Sequence, residues 1–115
     1  MATAVNAQLN SAGLGGAVGT DGSVIRVAID GTPQGLQLIR EGALDATVSQ
    51  PLSAYATKTA ELIELVSGGG TIDIGPRDDG RVVETPVGPQ YQLNATLVTA
   101  DNVDSDDLWA NKIGK

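Results

Sequence analysis

The sequence contains no cysteine, histidine or phenylalanine, and its only aromatic residues are Tyr55, Tyr91 and Trp109. These absences exclude zinc sites built on Cys or His, haem ligated by His, Ser-His-Asp and Cys-His nucleophiles, disulfide frameworks and thiol redox chemistry. Any general base must therefore be a carboxylate, a lysine or a tyrosine. We expect neither a metal site nor a cofactor.

Basic residues are also scarce, with seven Lys and Arg against fourteen Asp and Glu, a net charge of −7 over 115 residues. The basic residues are scattered, and nucleic acid is not an expected partner because its binding needs a basic footprint. No apolar run approaches the ~20 residues of a membrane span. The N-terminus lacks the basic and apolar regions of a signal peptide. Taken literally, these features indicate one cytoplasmic domain.

The first half of the sequence alternates helical and strand patterns. An N-terminal helix is predicted from apolar residues at helical spacing, namely Met1, Val5, Leu9 and Ala12, before a glycine-rich loop over 13–22. A β-branched strand over 24–29 ends at Asp30 and Gly31, and Thr32 and Pro33 form an N-cap signal for the next helix. Residues 45–50 predict a second strand. Strands joined by single helices predict a parallel sheet.

A longer helix is predicted over residues 52–67, after Pro51. Its inward positions are expected to be Leu52, Tyr55, Ala56, Leu62, Ile63 and Val66. The pattern then changes to strands. Residues 71–74 and 81–84 flank Asp79 and Gly80, which predicts a hairpin, and 91–99 predict a further strand. Asp104 or Ser105 is expected to cap a last short helix, with Asp106 and Asp107 in its first turn.

Two polar residues stand where strands end. Asp30 follows the first strand and Gln50 ends the second. Ligands of open α/β sheets bind outside the carboxyl ends of the strands, and a carboxylate there can accept two hydroxyl hydrogen bonds from one polyol. Spacing alone leaves two interpretations of Asp30 open, a ligand-binding group and a helix-capping or loop carboxylate.

Several segments resemble a known family. They are VAIDGTP at 27–33, IREGALDATVSQP at 39–51 followed by a long helix, and TLVTADNVD at 96–104 with Leu108 and Trp109. Together they resemble the C-terminal part of the type I periplasmic sugar-binding proteins, the ribose-binding-protein-like receptors of ABC importers. The resemblance implies that Asp30 binds sugar hydroxyls, that Gln50 lies at a crossover between two lobes, and that a later crossover lies near Asn94 and Ala95.

The resemblance also implies an architecture and a role. The expected fold is a partial open parallel sheet flanked by helices, with a hairpin insertion near the C-terminus. Residues 1–50 would belong to one lobe, 51–94 to the other, and 95–115 to a returning strand and tail. The implied function is non-catalytic capture of a monosaccharide by closure of two lobes, in the periplasm, for delivery to an ABC transporter permease.

Two other functions are weighed against this one. The effector-binding domain of a LacI-type transcription regulator shares the fold and much of the Asp-Gly pattern. A small flavodoxin-like enzyme would use Asp30 as a base, but it lacks a partner acid, a metal cluster and a cofactor loop. Family members are more than twice this length, so the sequence reads as a C-terminal fragment. Such a fragment is expected to bind no monosaccharide tightly and to self-associate through exposed apolar surface.

Overall fold

The computed structural model describes residues 2–113 as a mixed α/β chain with two small sheets. Contacts divide it into two compact units. Unit 1 combines the chain up to Gln50 with the chain from Thr96 onward, and unit 2 is Pro51–Ala95. Unit 1 contains α1 (Ala2–Ser11), β1 (Val27–Asp30), α2 (Pro33–Arg40), β2 (Ala46–Ser49), β6 (Thr96–Val98) and α4 (Trp109–Lys112). Unit 2 contains α3 (Leu52–Ser67), β3 (Gly75–Arg77), β4 (Gly80–Thr85) and β5 (Gly88–Leu93).

The sheet of unit 1 has the strand order β1-β2-β6. Strands β1 and β2 are parallel, with Val27 beside Ala46 and Asp30 beside Ser49, as the sequence predicted. Strand β6 runs antiparallel to β2, which corrects the prediction of a wholly parallel sheet. The rule for parallel pairing applies to strands joined by a single crossover helix. A helix and three strands separate β2 from β6 along the chain, so the rule does not govern this pair.

The core of unit 1 lies on one face of this sheet. Its buried side chains are Leu36, Ile39, Leu44, Val98, Val103, Leu108 and Ala110, and Ala28, Leu38 and Trp109 pack against them. Side chains alternate along a strand, so the neighbours of Ala28 and Val98 point to the opposite face. Val27, Ile29 and Leu97 are accordingly exposed. One face of the sheet is therefore covered and the other is open.

The buried residue of helix α1 is polar, and the predicted apolar stripe is covered only in part. Leu9 is partly buried, Val5 is half exposed and Ala12 is exposed. Asn6 is buried, and its Nδ2 donates to the carbonyl oxygen of Ala43 at 2.8 Å. Met1, the first residue of the predicted stripe, lies outside the described residues. The hydrogen bond to Ala43 lowers the cost of burying the Asn6 amide.

Unit 2 holds a three-stranded antiparallel meander in the order β3-β4-β5. Arg77 pairs with Gly80, so the first turn consists of Asp78 and Asp79, one residue before the predicted Asp79-Gly80 turn. The first strand is Gly75–Arg77 rather than 71–74. The single strand predicted over 91–99 is also wrong, because β5 ends at Leu93 and β6 begins at Thr96.

Helix α3 has the predicted bounds, Leu52–Ser67, but none of its residues is buried. The best-covered positions of its middle turns are Ala54, Lys58 and Leu62, each partly buried. Of the six residues expected to point inward, only Leu62 is partly covered and the other five are exposed. The error arises because the helix is apolar on two faces, and hydrophobic periodicity does not say which face is covered.

The last helix begins later than predicted. Residues 101–104 and 106–107 form turns, α4 is Trp109–Lys112, and its N-cap is Leu108 without a side-chain cap bond. The predicted cap residues make other bonds. Asp104 accepts from Arg40 Nε at 2.8 Å, and Ser105 Oγ accepts from the Asp107 N–H at 3.2 Å. Short polar side chains that bond to nearby backbone compete with helix formation, which explains the delayed start.

Candidate functional site

Asp30 ends β1 in an unusual backbone conformation. Its φ is 94°, and it is the one non-glycine residue with positive φ among residues 2–113. Such conformations cost of order 1–3 kcal/mol and persist only where the surroundings impose them. The Asp30 carbonyl oxygen accepts a hydrogen bond of 3.1 Å from Trp109 Nε1, which helps to hold this turn. The exposed carboxylate makes no hydrogen bond or ion pair within the described part of the chain.

Gly31, directly after β1, lies in close contact with Ser49 at the end of β2. Its φ is +60°, and a Cβ atom added there would lie 2.6 Å from Ser49 Cβ and 2.7 Å from Ser49 Cα. The Gly31 N–H donates to Thr47 Oγ1 at 3.3 Å. Only glycine fits this backbone and this contact without a shift. The position of Asp30 is thus set by the next strand of the sheet.

Helix α2 starts directly after this turn. Thr32 has extended backbone angles, and its Oγ1 accepts from the Gly35 N–H at 3.1 Å. Pro33 occupies the first helical turn. Thr32 therefore provides the predicted N-cap, and Asp30 does not. This removes the helix-capping interpretation of Asp30.

Gln50 follows β2 directly, one residue beyond Ser49, which pairs with Asp30. Because β1 and β2 are parallel, Asp30 and Gln50 stand at the same, carboxyl edge of the sheet. Gln50 is partly buried and already takes part in an interaction within the chain. It is also the last residue of unit 1 before the chain enters unit 2.

A cavity of about 700 Å³ lies beside β1. Its walls come from α1, β1 and α2, from the residues before β1, and from Leu44 and Thr47 at β2. Asp30, Thr32 and Gln34 line it, whereas Gln50 does not. Much of the remaining wall is apolar, including Val5, Leu9 and Leu38. The cavity and the pair of strand ends therefore share Asp30 but differ in chemistry, and the strand ends are the more polar surface.

A buried arginine lies beside a partly exposed aspartate at the amino ends of the same two strands. Arg26 is 6% exposed, and its Nε lies 3.9 Å from Asp45 Oδ2 but makes no hydrogen bond within the described residues. The same carboxylate oxygen accepts from the Arg26 backbone N–H at 2.8 Å, and Arg26 Nη2 donates to the Gly16 carbonyl oxygen at 2.8 Å. The contact of Arg26 was not predicted, since Arg26 is one of the scattered basic residues of the sequence. The sequence signal for this contact is an arginine and an aspartate that each directly precede one strand of a parallel pair.

Unit 2 contains a second polar cluster. The Tyr91 hydroxyl donates to Asp79 Oδ1, and Lys58 Nζ lies 3.4 Å from Asp79 Oδ2 and 2.7 Å from Glu61 Oε2. Lys58 Nζ also lies 5.3 Å from the centre of the Tyr91 ring, within cation–π range. This cluster links α3 to the β3–β4 turn and β5.

The pKa shifts in this cluster keep each group in its usual charge state at neutral pH. The hydrogen bond to Glu61 raises the pKa of Lys58, and the hydrogen bond from Tyr91 lowers the pKa of Asp79. The bond to Asp79 raises the pKa of Tyr91. A general base or acid at neutral pH needs shifts in the opposite directions. Lys58 and Asp79 therefore both stay charged at neutral pH, which maintains the ion pair between them.

Within residues 2–113, no group of three or more acidic side chains is placed to hold a metal ion. No helix in this part of the chain is long and apolar enough to cross a membrane. No protein-family model and no curated protein matches the chain.

Proposed function

We propose that this chain is the C-terminal portion of a monosaccharide-binding protein of an ABC importer, with Asp30 and Gln50 as sugar-contacting residues. The observation that carries the proposal is the strained conformation of Asp30 at the carboxyl end of a parallel strand pair, beside Gln50. A carboxylate there accepts hydrogen bonds from two adjacent hydroxyls, and an amide both donates and accepts.

The course of the chain supports the same assignment. It leaves unit 1 after Gln50 and returns at Thr96, directly after Asn94 and Ala95. Those are the two places where the resemblance to the sugar receptors expects crossovers between lobes. In the intact receptor, closure of the two lobes would enclose the sugar, and the closed form would be presented to the permease in the periplasm. No bond is made or broken in this role.

The proposal predicts weak sugar binding by the chain itself, localised at the strand ends. In a titration of the 15N-labelled chain with a panel of monosaccharides, one sugar is expected to shift the amide signals of Asp30, Gly31 and Gln50. Binding is expected to be no tighter than millimolar, because one face of the sugar stays in water and its hydrogen bonds only replace bonds to solvent. Asp30→Asn should abolish the shifts, whereas Asp21→Asn, in the exposed loop of unit 1, should leave them unchanged.

A stronger test uses the intact receptor, once the sequence that precedes this segment is known. Asp30→Ala should reduce sugar affinity more than Gln50→Ala, because hydrogen bonds to a charged group contribute ~1.5–3 kcal/mol each and neutral ones ~0.5–1.5 kcal/mol. Calorimetry on both variants measures the difference. Unchanged affinity in Asp30→Ala would remove Asp30 from the site. A preceding helix-turn-helix would instead favour the LacI-type regulator.

A further inference from the structure

Three aspartates of the chain are followed directly by glycine, namely Asp21, Asp30 and Asp79. At such a pair the main-chain nitrogen of the glycine can attack the side-chain carboxyl carbon of the aspartate, because glycine has no Cβ atom to block the approach. The attack requires a carboxyl group that is free of partners and a peptide group that can turn toward it. The three pairs are the same dipeptide, so their local structure decides which of them reacts.

Asp21 and Gly22 stand in the middle of an exposed turn between α1 and β1. The Ser23 N–H donates to the carbonyl oxygen of Thr20 at 3.1 Å, which makes Asp21 and Gly22 the two central residues of the turn. Gly22 has a φ of +80°, and a Cβ atom added there would have no neighbour within 4 Å. Within residues 2–113, neither the Asp21 carboxylate nor the Gly22 N–H makes a hydrogen bond. This pair therefore meets both requirements.

The pair of Asp79 and Gly80 meets neither requirement. Tyr91 donates a hydrogen bond to Asp79 Oδ1, and Lys58 Nζ lies 3.4 Å from Asp79 Oδ2. Gly80 belongs to β4, the central strand of the meander, and a Cβ atom added there would overlap the carbonyl oxygen of Gln92. Ring closure at this pair would have to release the carboxylate from two partners and turn a peptide group inside a paired strand.

The exposed Asp30 carboxylate meets the first requirement, but the peptide group that follows it is held on both sides. The Asp30 carbonyl oxygen accepts from Trp109 Nε1 at 3.1 Å, and the Gly31 N–H donates to Thr47 Oγ1 at 3.3 Å. Ser49 lies so close to Gly31 that an added Cβ atom would be 2.6 Å from Ser49 Cβ. This peptide group cannot turn toward the carboxylate until both hydrogen bonds break.

We propose that Asp21 is the site at which this chain isomerises spontaneously to isoaspartate through a succinimide, and that the fold protects Asp30 and Asp79. In the first step the Gly22 nitrogen bonds to Asp21 Cγ, and the N–H proton leaves with the hydroxyl of the protonated carboxyl group as water. In the second step water opens the ring at either carbonyl carbon. Cleavage of the bond from nitrogen to Cγ restores aspartate, and cleavage of the bond from nitrogen to the main-chain carbonyl carbon gives isoaspartate.

The product is expected to accumulate as a folded protein. Isoaspartate carries the main chain through its side-chain carbons, so it lengthens the chain by one methylene group at the centre of the turn. The hydrogen bond from Ser23 to Thr20 should then be lost. None of the described residues 20–23 belongs to the buried core cluster, so the sheet of unit 1 should stay intact. The inference is independent of the sugar-binding role.

The test measures all three pairs in one sample, because trypsin places them in the separate peptides 1–26, 27–40 and 78–81. The full chain is incubated at neutral pH in water enriched in 18O and then digested in ordinary water. Each opened succinimide retains one heavy oxygen, and electron-transfer fragmentation distinguishes isoaspartate from aspartate at a given residue. We expect labelled isoaspartate to form at Asp21 at least about tenfold faster than at Asp30 or Asp79, because the protected pairs react only from locally opened states.

Two controls separate the effect of the fold from that of the dipeptide. In concentrated urea, which unfolds the chain, the three rates should converge. Asp21→Glu keeps the charge but moves the carboxyl group one methylene further from the Gly22 nitrogen, so the label at residue 21 should disappear while the rates at Asp30 and Asp79 stay unchanged. Circular dichroism shows that this variant remains folded.

Three results would overturn the proposal. The first is a folded chain in which Asp21 does not react, and the second is one in which the three aspartates react at equal rates. The third is an excess of isoaspartate at Asp21 that persists in urea, since neighbouring residues rather than the turn would then set the rate. The assignment of Asp30 and Gln50 as sugar contacts stands or falls separately from all three.

Discussion

Replacement of Gly31 by alanine tests whether the end of β2 holds the Asp30 turn in place. Two costs are expected. A residue with a Cβ atom at φ near +60° costs roughly 1–2 kcal/mol relative to glycine. The new methyl group would also lie 2.6 Å from Ser49 Cβ, and forced overpacking of this kind costs about 1–3 kcal/mol. We therefore expect Gly31→Ala to lower the free energy of unfolding by about 2–5 kcal/mol.

Gly42→Ala provides the matched control in the same unit. Gly42 has nearly the same φ, +66°, but an added Cβ atom would have no neighbour within 4 Å. It should therefore show only the conformational cost, about 1–2 kcal/mol. The difference between the two variants isolates the contact with Ser49. Gly31→Ala combined with Ser49→Gly should recover part of that difference, because Ser49 Cα would still lie 2.7 Å from the methyl group.

Urea unfolding followed by tryptophan fluorescence is the appropriate assay. Trp109 is the single tryptophan, and its indole bonds to the Asp30 carbonyl oxygen, so the probe stands beside the perturbed turn. Equal losses in Gly31→Ala and Gly42→Ala would refute the reasoning, since they would show that the end of β2 does not constrain Gly31. If the native fluorescence spectrum changes in Gly31→Ala but not in Gly42→Ala, the Asp30 turn has shifted relative to the Trp109 indole.

Two further predictions concern single hydrogen bonds. Thr32→Ala removes the acceptor of the Gly35 N–H and should lower the free energy of unfolding by about 1 kcal/mol in the same assay. Tyr91→Phe removes the bond that chiefly lowers the pKa of Asp79. A carboxyl group whose pKa is lower in the folded state than in the unfolded state adds stability at pH values above its unfolded-state pKa. This stability is lost as the pH falls through the folded-state pKa. The loss of stability at acid pH, followed by circular dichroism, should therefore be smaller in Tyr91→Phe. An unchanged dependence of stability on pH would contradict the assignment of Tyr91 as the group that chiefly lowers the pKa of Asp79.

Local patterns predicted the parts of the fold that depend on neighbours in the chain. Thr32 and Pro33 start α2 because a hydroxyl cap and a fixed proline φ act within one helical turn. The parallel pairing of β1 and β2 followed from the single helix between them, and it places Asp30 and Gln50 at one sheet edge. The prediction that both residues bind sugar stays a prediction.

Other features depend on contacts between distant segments. The covered face of α3 was assigned wrongly because both faces carry apolar residues, and only the packing of unit 2 selects Ala54, Lys58 and Leu62. Asp104 was wrongly assigned as a cap of the last helix because it bonds to Arg40, which is far away in the chain. Periodicity and capping rules contain no information on such partners.

By itself, the sequence determined the α/β alternation, the start of α2, the extent of α3 and the exclusion of Cys- and His-based chemistry. Each of these depends on residue type and on spacing over a few residues. Only the tertiary structure decided the antiparallel direction of β6, the burial of Arg26 against Asp45 and Gly16, and the positive φ of Asp30 beside Trp109. These features arise from hydrogen bonds and packing between segments that are separated along the chain, and such contacts exist only once the sheet has formed.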